Sequence, residues 1–91
     1  MRLFLVHAGF YDENISGGFY ESHTNYFVVA SDVKEAKLKA KKISEYKEKK
    51  MHIDGIKELD SVNGYKIILE KNHNDGHDVE SQYSYNDVKE I

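Results

Sequence analysis

Two short pairs carry the residue types from which a reactive or metal-holding site is built. They are Glu21-Ser22-His23 and His52-Ile53-Asp54. On an extended chain, residues i and i+2 point to the same side, so each pair presents an imidazole beside a carboxylate. If the two segments lie near one another, they form a cluster of two imidazoles and two carboxylates. Such a donor set suits a divalent metal (Zn²⁺, Fe²⁺ or Mn²⁺), with His23, His52 and Asp54 as ligands. It also suits acid/base work, because imidazole titrates near neutrality and a carboxylate can orient its ring. The plainer alternative is a structural network in which each His pairs with its own carboxylate.

Other candidates carry less. His7 interrupts an otherwise apolar strand and gains interest only if it faces the same side as His23 and His52. His73 and His77 are four apart, a ligand spacing on a helix, but the intervening Asn-Asp-Gly breaks helices, so a solvated loop is expected. Residues 32–50 hold eight lysines against four carboxylates, a local +4 in a chain of net charge −3. That is an anion-facing patch or, more simply, the wet back of an amphipathic helix. Phe10, Tyr11, Phe19 and Tyr20 lie in a loop, either as recognition anchors or folded back over a sheet.

The elements that must position these residues follow from pattern. Residues 3–8 read as a strand, apolar on both alternations, and so belong at the centre of a sheet. Residues 10–22 read as a long loop rich in turn formers. Residues 24–30 are a second strand signal. Residues 33–47 read as the one clear helix, with Val33, Ala36, Ala40, Ile43 and Lys47 or Tyr46 on its stripe, Leu38 off it and Asp32 as its N-cap. Residues 51–62 give a third, broken strand signal: Ile53, Ile56, Leu59 and Val62 are spaced by three, which equally fits one or two helical turns, and Gly55 marks a bulge or kink. Asn63-Gly64 predicts a type I′ hairpin turn, and residues 65–70 a fourth strand. Residues 1–71 read as a single α+β domain and 72–91 as a polar C-terminal tail, with a short edge strand or helical turn that docks on the sheet. The order β-β-α-β-β predicts a four-stranded mixed sheet with one helix on one face, a β-grasp-like roll whose first and last strands run in parallel. One helix leaves the other sheet face open, and a homodimer through that face is expected. About 800 Å² per partner would make it stable.

Composition narrows the function classes. The chain has 91 residues and is one small domain. It has no Cys, which excludes disulfides, thiolate catalysis and Cys-based metal sites. A net charge of −3 argues against a dedicated nucleic-acid binder. The longest apolar run, Leu3 to Val6, is far too short for a membrane span or a signal-peptide core, so a cytoplasmic location and no membrane partner are expected.

Several stretches resemble a small bacterial family catalogued as domain of unknown function 1543. They are Lys50-Met-His-Ile-Asp-Gly55, Asp60-Ser-Val-Asn-Gly-Tyr-Lys-Ile67, and Glu21-Ser-His23 ahead of Phe27-Val-Val29. The resemblance covers about residues 2–71. The chain departs at Thr24, where the family often has Asp, and at Asn63, where Asp-Gly is usual. The resemblance implies no activity, but it marks Lys50 and Tyr65 beside Glu21, His23, His52 and Asp54 as binding residues. The resulting expectation is a binding or interaction module acting through the 10–23 loop and the His-Ile-Asp segment, on an unknown protein or small-molecule ligand. The alternative is a metal-dependent or acid/base enzyme centred on Glu21, His23, His52 and Asp54, its catalytic residues unassigned and its cofactor a divalent metal.

Overall fold

The computed structural model describes residues 1–73 and 76–91; the His73–His77 loop and the 72–91 tail therefore lie partly outside the described residues. Its centre is β1 (Arg2–Phe10). β2 (Ser22–Ala30) and β3 (His52–Glu58) pair antiparallel to it on either side, giving the order β2-β1-β3. β2 and β3 therefore run parallel with β1 between them. The helical segment linking them makes a split β-α-β unit.

Alternation along β1 decides which face is covered. Phe4, Val6, Ala8 and Phe10 are buried on the inner face. Against Phe4, Val6, Val28 and Ala30 lies α1 (Val33–Lys41), whose Ala36 and Ala40 are fully buried and allow close approach to the sheet. The Asp32 side chain caps α1 by accepting from the Glu35 amide at 2.8 Å. The predicted helix does not run unbroken to residue 47. Ile43 turns extended (φ −66°, ψ 131°), and α2 (Ser44–Glu48) restarts after it. Ile43 and Ser44 are weaker helix formers than their neighbours. The break lets Tyr46 pack with Ala8, Phe10 and Met51 in a second buried cluster.

β3 carries the bulge that Gly55 foreshadows. Ala8 faces Ile53 and His7 faces Gly55, so Asp54 is the extra residue. The bulge explains the three-residue spacing, since Ile53 and Ile56 both pack against the inner core.

The four-stranded mixed β-grasp sheet is not what forms. The main sheet has three antiparallel strands, because β3 takes the β1 edge that the last strand would have needed. The Asn63-Gly64 turn is as expected, with φ of 52° and 82°. It joins only β4 (Ser61–Val62) to β5 (Tyr65–Lys66), a separate two-stranded hairpin. The predicted strand over 65–70 thus shrinks to two residues. A short helix, α3 (Tyr85–Lys89), closes the chain behind a Ser84/Asp87 capping box. Among the described residues, neither the hairpin nor α3 packs on the three-stranded sheet, so neither covers its outer face. Phe27 on that face is 70% exposed. No helix is long and apolar enough to cross a membrane.

Candidate functional site

The outer face holds the chemistry. Across the sheet, Gly9 is flanked by His23 of β2 and His52 of β3. Glu21 enters from the end of the preceding loop, and the bulge turns Asp54 onto the same face. The two pairs converge. His23 Nε2 lies 2.6 Å from Glu21 Oε1 and 3.0 Å from Asp54 Oδ2. His52 Nε2 lies 3.4 Å from the same Glu21 Oε1 and 3.1 Å from Asp54 Oδ1. Each carboxylate is thus shared by both imidazoles. A network of one His with its own carboxylate would not require this crossing.

Gly9 forms the floor. A Cβ there would stand 2.5 Å from Glu21 Oε1, 2.7 Å from His52 Nε2 and 2.8 Å from Asp54 Oδ2. Glu21, His52 and Asp54 close over the strand only because position 9 has no side chain.

Neighbouring groups brace the cluster. The Tyr11 hydroxyl donates to Glu21 Oε2 at 3.1 Å. That hydrogen bond, followed by the carboxylate's charge, raises the Tyr11 phenol above its ordinary value. His7 does face the same side as His23: the rings stack with centroids 4.8 Å apart and planes 6° from parallel. Its Nδ1 is held by Asn25 Oδ1 at 2.9 Å. His7 thus packs flat on His23, and its ligand atom lies within 4.8 Å of those of His23 and Asp54.

Glu21, His52 and Asp54 place ligand atoms within 4.8 Å of one another, as do His7, His23 and Asp54, so the two triads that share Asp54 could hold a divalent ion. Metal–ligand bonds of roughly 2.0–2.1 Å in a tetrahedron place ligand atoms about 3.3 Å apart. The His23–Asp54, His52–Asp54 and His52–Glu21 separations lie close to that edge. The shorter His23–Glu21 contact is a charge-assisted hydrogen bond. Two carboxylates would balance a dication, and the side chains are 30–48% exposed, so the cluster is reachable from solvent.

The remaining candidates lie elsewhere. Lys50 occupies the turn between α2 and β3 with φ 49°. Tyr65 is 79% exposed in the separate hairpin. Among the described residues, neither is joined to the four by a hydrogen bond or ion pair. Of the loop aromatics, Phe10 belongs to β1 and is buried under the Lys49 ammonium, 4.8 Å from its ring centroid. Phe19 and Tyr20 form an exposed edge-to-face pair. Sequence reasoning missed Gly9, and it named Tyr11 only among the loop aromatics, without its bond to Glu21. Gly9 reads as a strand terminator until its cross-strand partners are known, and Tyr11 is one aromatic among several.

Residues 18–69 match the family model described as Domain of Unknown Function (DUF1543). The chain belongs to the DUF1543 family. The matched DUF1543 span takes in all four cluster residues and the hairpin, and begins after β1, which supplies Gly9 and His7. Neither the curated proteins nor the solved structures give a match to the chain.

Proposed function

We propose that the domain is a binding module whose centre is a divalent transition-metal ion held by Glu21, His23, His52 and Asp54. One observation carries this. Two imidazoles from opposite edge strands share the same two carboxylates above a glycine that leaves room for nothing else. A set of two neutral nitrogens and two carboxylate oxygens favours zinc or a neighbouring first-row metal over calcium or magnesium, which prefer all-oxygen shells. The exposed rim and the Tyr11 hydroxyl on Glu21 support the enzyme alternative on the same residues, in which three of the four would hold the ion and leave its remaining position to polarise water or substrate.

The test is a thermal melt of chelator-treated protein with and without Zn²⁺, Mn²⁺ and Ni²⁺. An ion that binds only the folded state adds about 2.7 kcal/mol at a hundredfold excess over Kd. The expected result is a raised melting temperature in the parent chain and none in His23→Ala or His52→Ala. An equal rise in both variants, or none in the parent, would remove the metal and leave a structural network.

A further inference from the structure

We propose that the outer face also seats a small organic acid, a monocarboxylate with a flat apolar body, in the groove between His7 and Lys57. This groove of about 580 Å³ is lined by Leu5, His7, Asn25, Gly55, Ile56 and Lys57. Its volume is that of a small-molecule site.

Register explains why it exists. Below the His23–Gly9–His52 row comes Asn25–His7–Gly55, and below that Phe27–Leu5–Lys57. In the middle row Gly55 supplies no side chain, and a Cβ built there would meet nothing within 4 Å. The groove is the space that side chain leaves. From His7 to Leu5 it spans about 7 Å along β1, at some 3.3 Å per residue.

The lining selects the ligand's chemistry. Leu5 gives an apolar floor. At the far end stands the Lys57 ammonium, which has no carboxylate partner among the described residues. At the near end His7 has Nδ1 committed to Asn25, leaving Nε2 as its free ring nitrogen among the described residues. Beyond it lie the carboxylates of Glu21 and Asp54. With the Lys57 ammonium in its lining and the carboxylates of Glu21 and Asp54 outside it beyond His7, the groove orients an anion with its charge on Lys57 and its body over Leu5. One ammonium matches one carboxylate better than a doubly charged phosphate, and the apolar floor favours a hydrocarbon body over a sugar. The groove does not require the metal. Strengthening of the acid by the metal does rest on the proposed metal site, because a dication would cancel the two carboxylates that oppose an anion.

The experiment is an amide-resolved NMR titration of the full chain with benzoate, with and without zinc. Benzyl alcohol and inorganic phosphate serve as controls. Zinc occupancy is read separately by native mass spectrometry. We expect saturable shifts at Leu5, His7, Asn25 and Gly55 to Lys57. Lys57→Met should weaken binding about tenfold or more, the scale of a lost hydrogen bond to a charged group. Gly55→Val, which meets no steric obstacle, should fill the groove and abolish binding. The proposal is overturned if benzoate gives no saturable shift, if benzyl alcohol or phosphate binds as well, or if Lys57→Met titrates like the parent. A midpoint that moves with protein concentration also overturns it, by placing a second copy in the groove. Benzoate binding that depends on Lys57 in a chain that takes up no zinc keeps the groove and rejects the metal. Zinc uptake without benzoate binding does the reverse.

Discussion

Gly9→Ala separates the site from the fold more cleanly than removing a ligand. The added Cβ would meet Glu21 Oε1 at 2.5 Å, His52 Nε2 at 2.7 Å and Asp54 Oδ2 at 2.8 Å. Carbon sits comfortably at about 3.5 Å from such atoms, so the three must retreat by roughly 0.7–1.0 Å. All three are the far ends of side chains that reach solvent, so rotation relieves the clash without moving the strand. Gly9 does not have a positive φ, so Ala fits its backbone. Replacing a strand glycine also restricts the unfolded chain, which stabilises by about 0.4–1 kcal/mol. A metal site tolerates only about 0.2 Å of ligand displacement. The two effects therefore have opposite signs. In chelator the variant should melt at or a few degrees above the parent. With zinc at a hundredfold excess over the parent's Kd, the parent gains about 2.7 kcal/mol, roughly 10–20 °C for a domain of this size, and the variant gains almost nothing. Differential scanning calorimetry with matched zinc and chelator samples measures both. A Gly9→Ala chain whose zinc-induced rise equals the parent's would refute the argument, because the ion would then be held somewhere other than above Gly9.

Three further outcomes follow from the same geometry. Asp32→Ala removes the α1 cap and should cost about 1 kcal/mol by urea denaturation, with zinc binding unchanged. Burial, then the hydrogen bond to Glu45, pushes the Tyr26 phenol up to about 12 from 10.0. Its stabilising contribution is full below pH 10 and lost as pH rises through 12, so Tyr26→Phe should flatten the alkaline limb of the stability profile. Glu35 is held below the ordinary carboxylate value by the Ser31 hydroxyl and then by Lys39. Its contribution is present above about pH 4.5 and lost as pH falls through the lowered value, and Ser31→Ala should shrink the acid-side drop measured by circular dichroism.

The i, i+2 pairs were legible in the sequence because extended backbone fixes which residues share a face. Their meeting was not, because it depends on which strands flank β1. The β-grasp expectation put the last strand at an edge that β3 occupies, and local pattern cannot choose between two partners for one strand edge. The inner face was legible in Phe4, Val6 and Val28, and Ala36 and Ala40 announced a close helix. The helix break at Ile43 was hidden, because Tyr46 continues the stripe and only its packing with Ala8, Phe10 and Met51 reveals the turn. Gly9 acquires its role from Glu21, His52 and Asp54, residues far away in sequence, and no window along the chain contains them all.

The bulge in β3 ties the fold to the site most directly. Between His52 and Lys57 a regular strand would alternate out and in, yet Ile53 and Ile56 both face the core. One residue is surplus to the ladder, and it is Asp54. Deleting Asp54 would set His52, Gly55 and Lys57 on the outer face and Ile53 and Ile56 on the inner one, with the β1 register otherwise unchanged. Nothing in the core needs the extra residue, while the cluster needs its carboxylate, which reaches both histidines. A bulge that re-aims one side chain is common beside functional sites. The deletion chain should therefore keep its far-ultraviolet circular dichroism and melt close to the metal-free parent, while its zinc-induced rise disappears. If it unfolded instead, the bulge would be a requirement of the sheet itself, and Asp54 would lose its standing as a residue placed for binding.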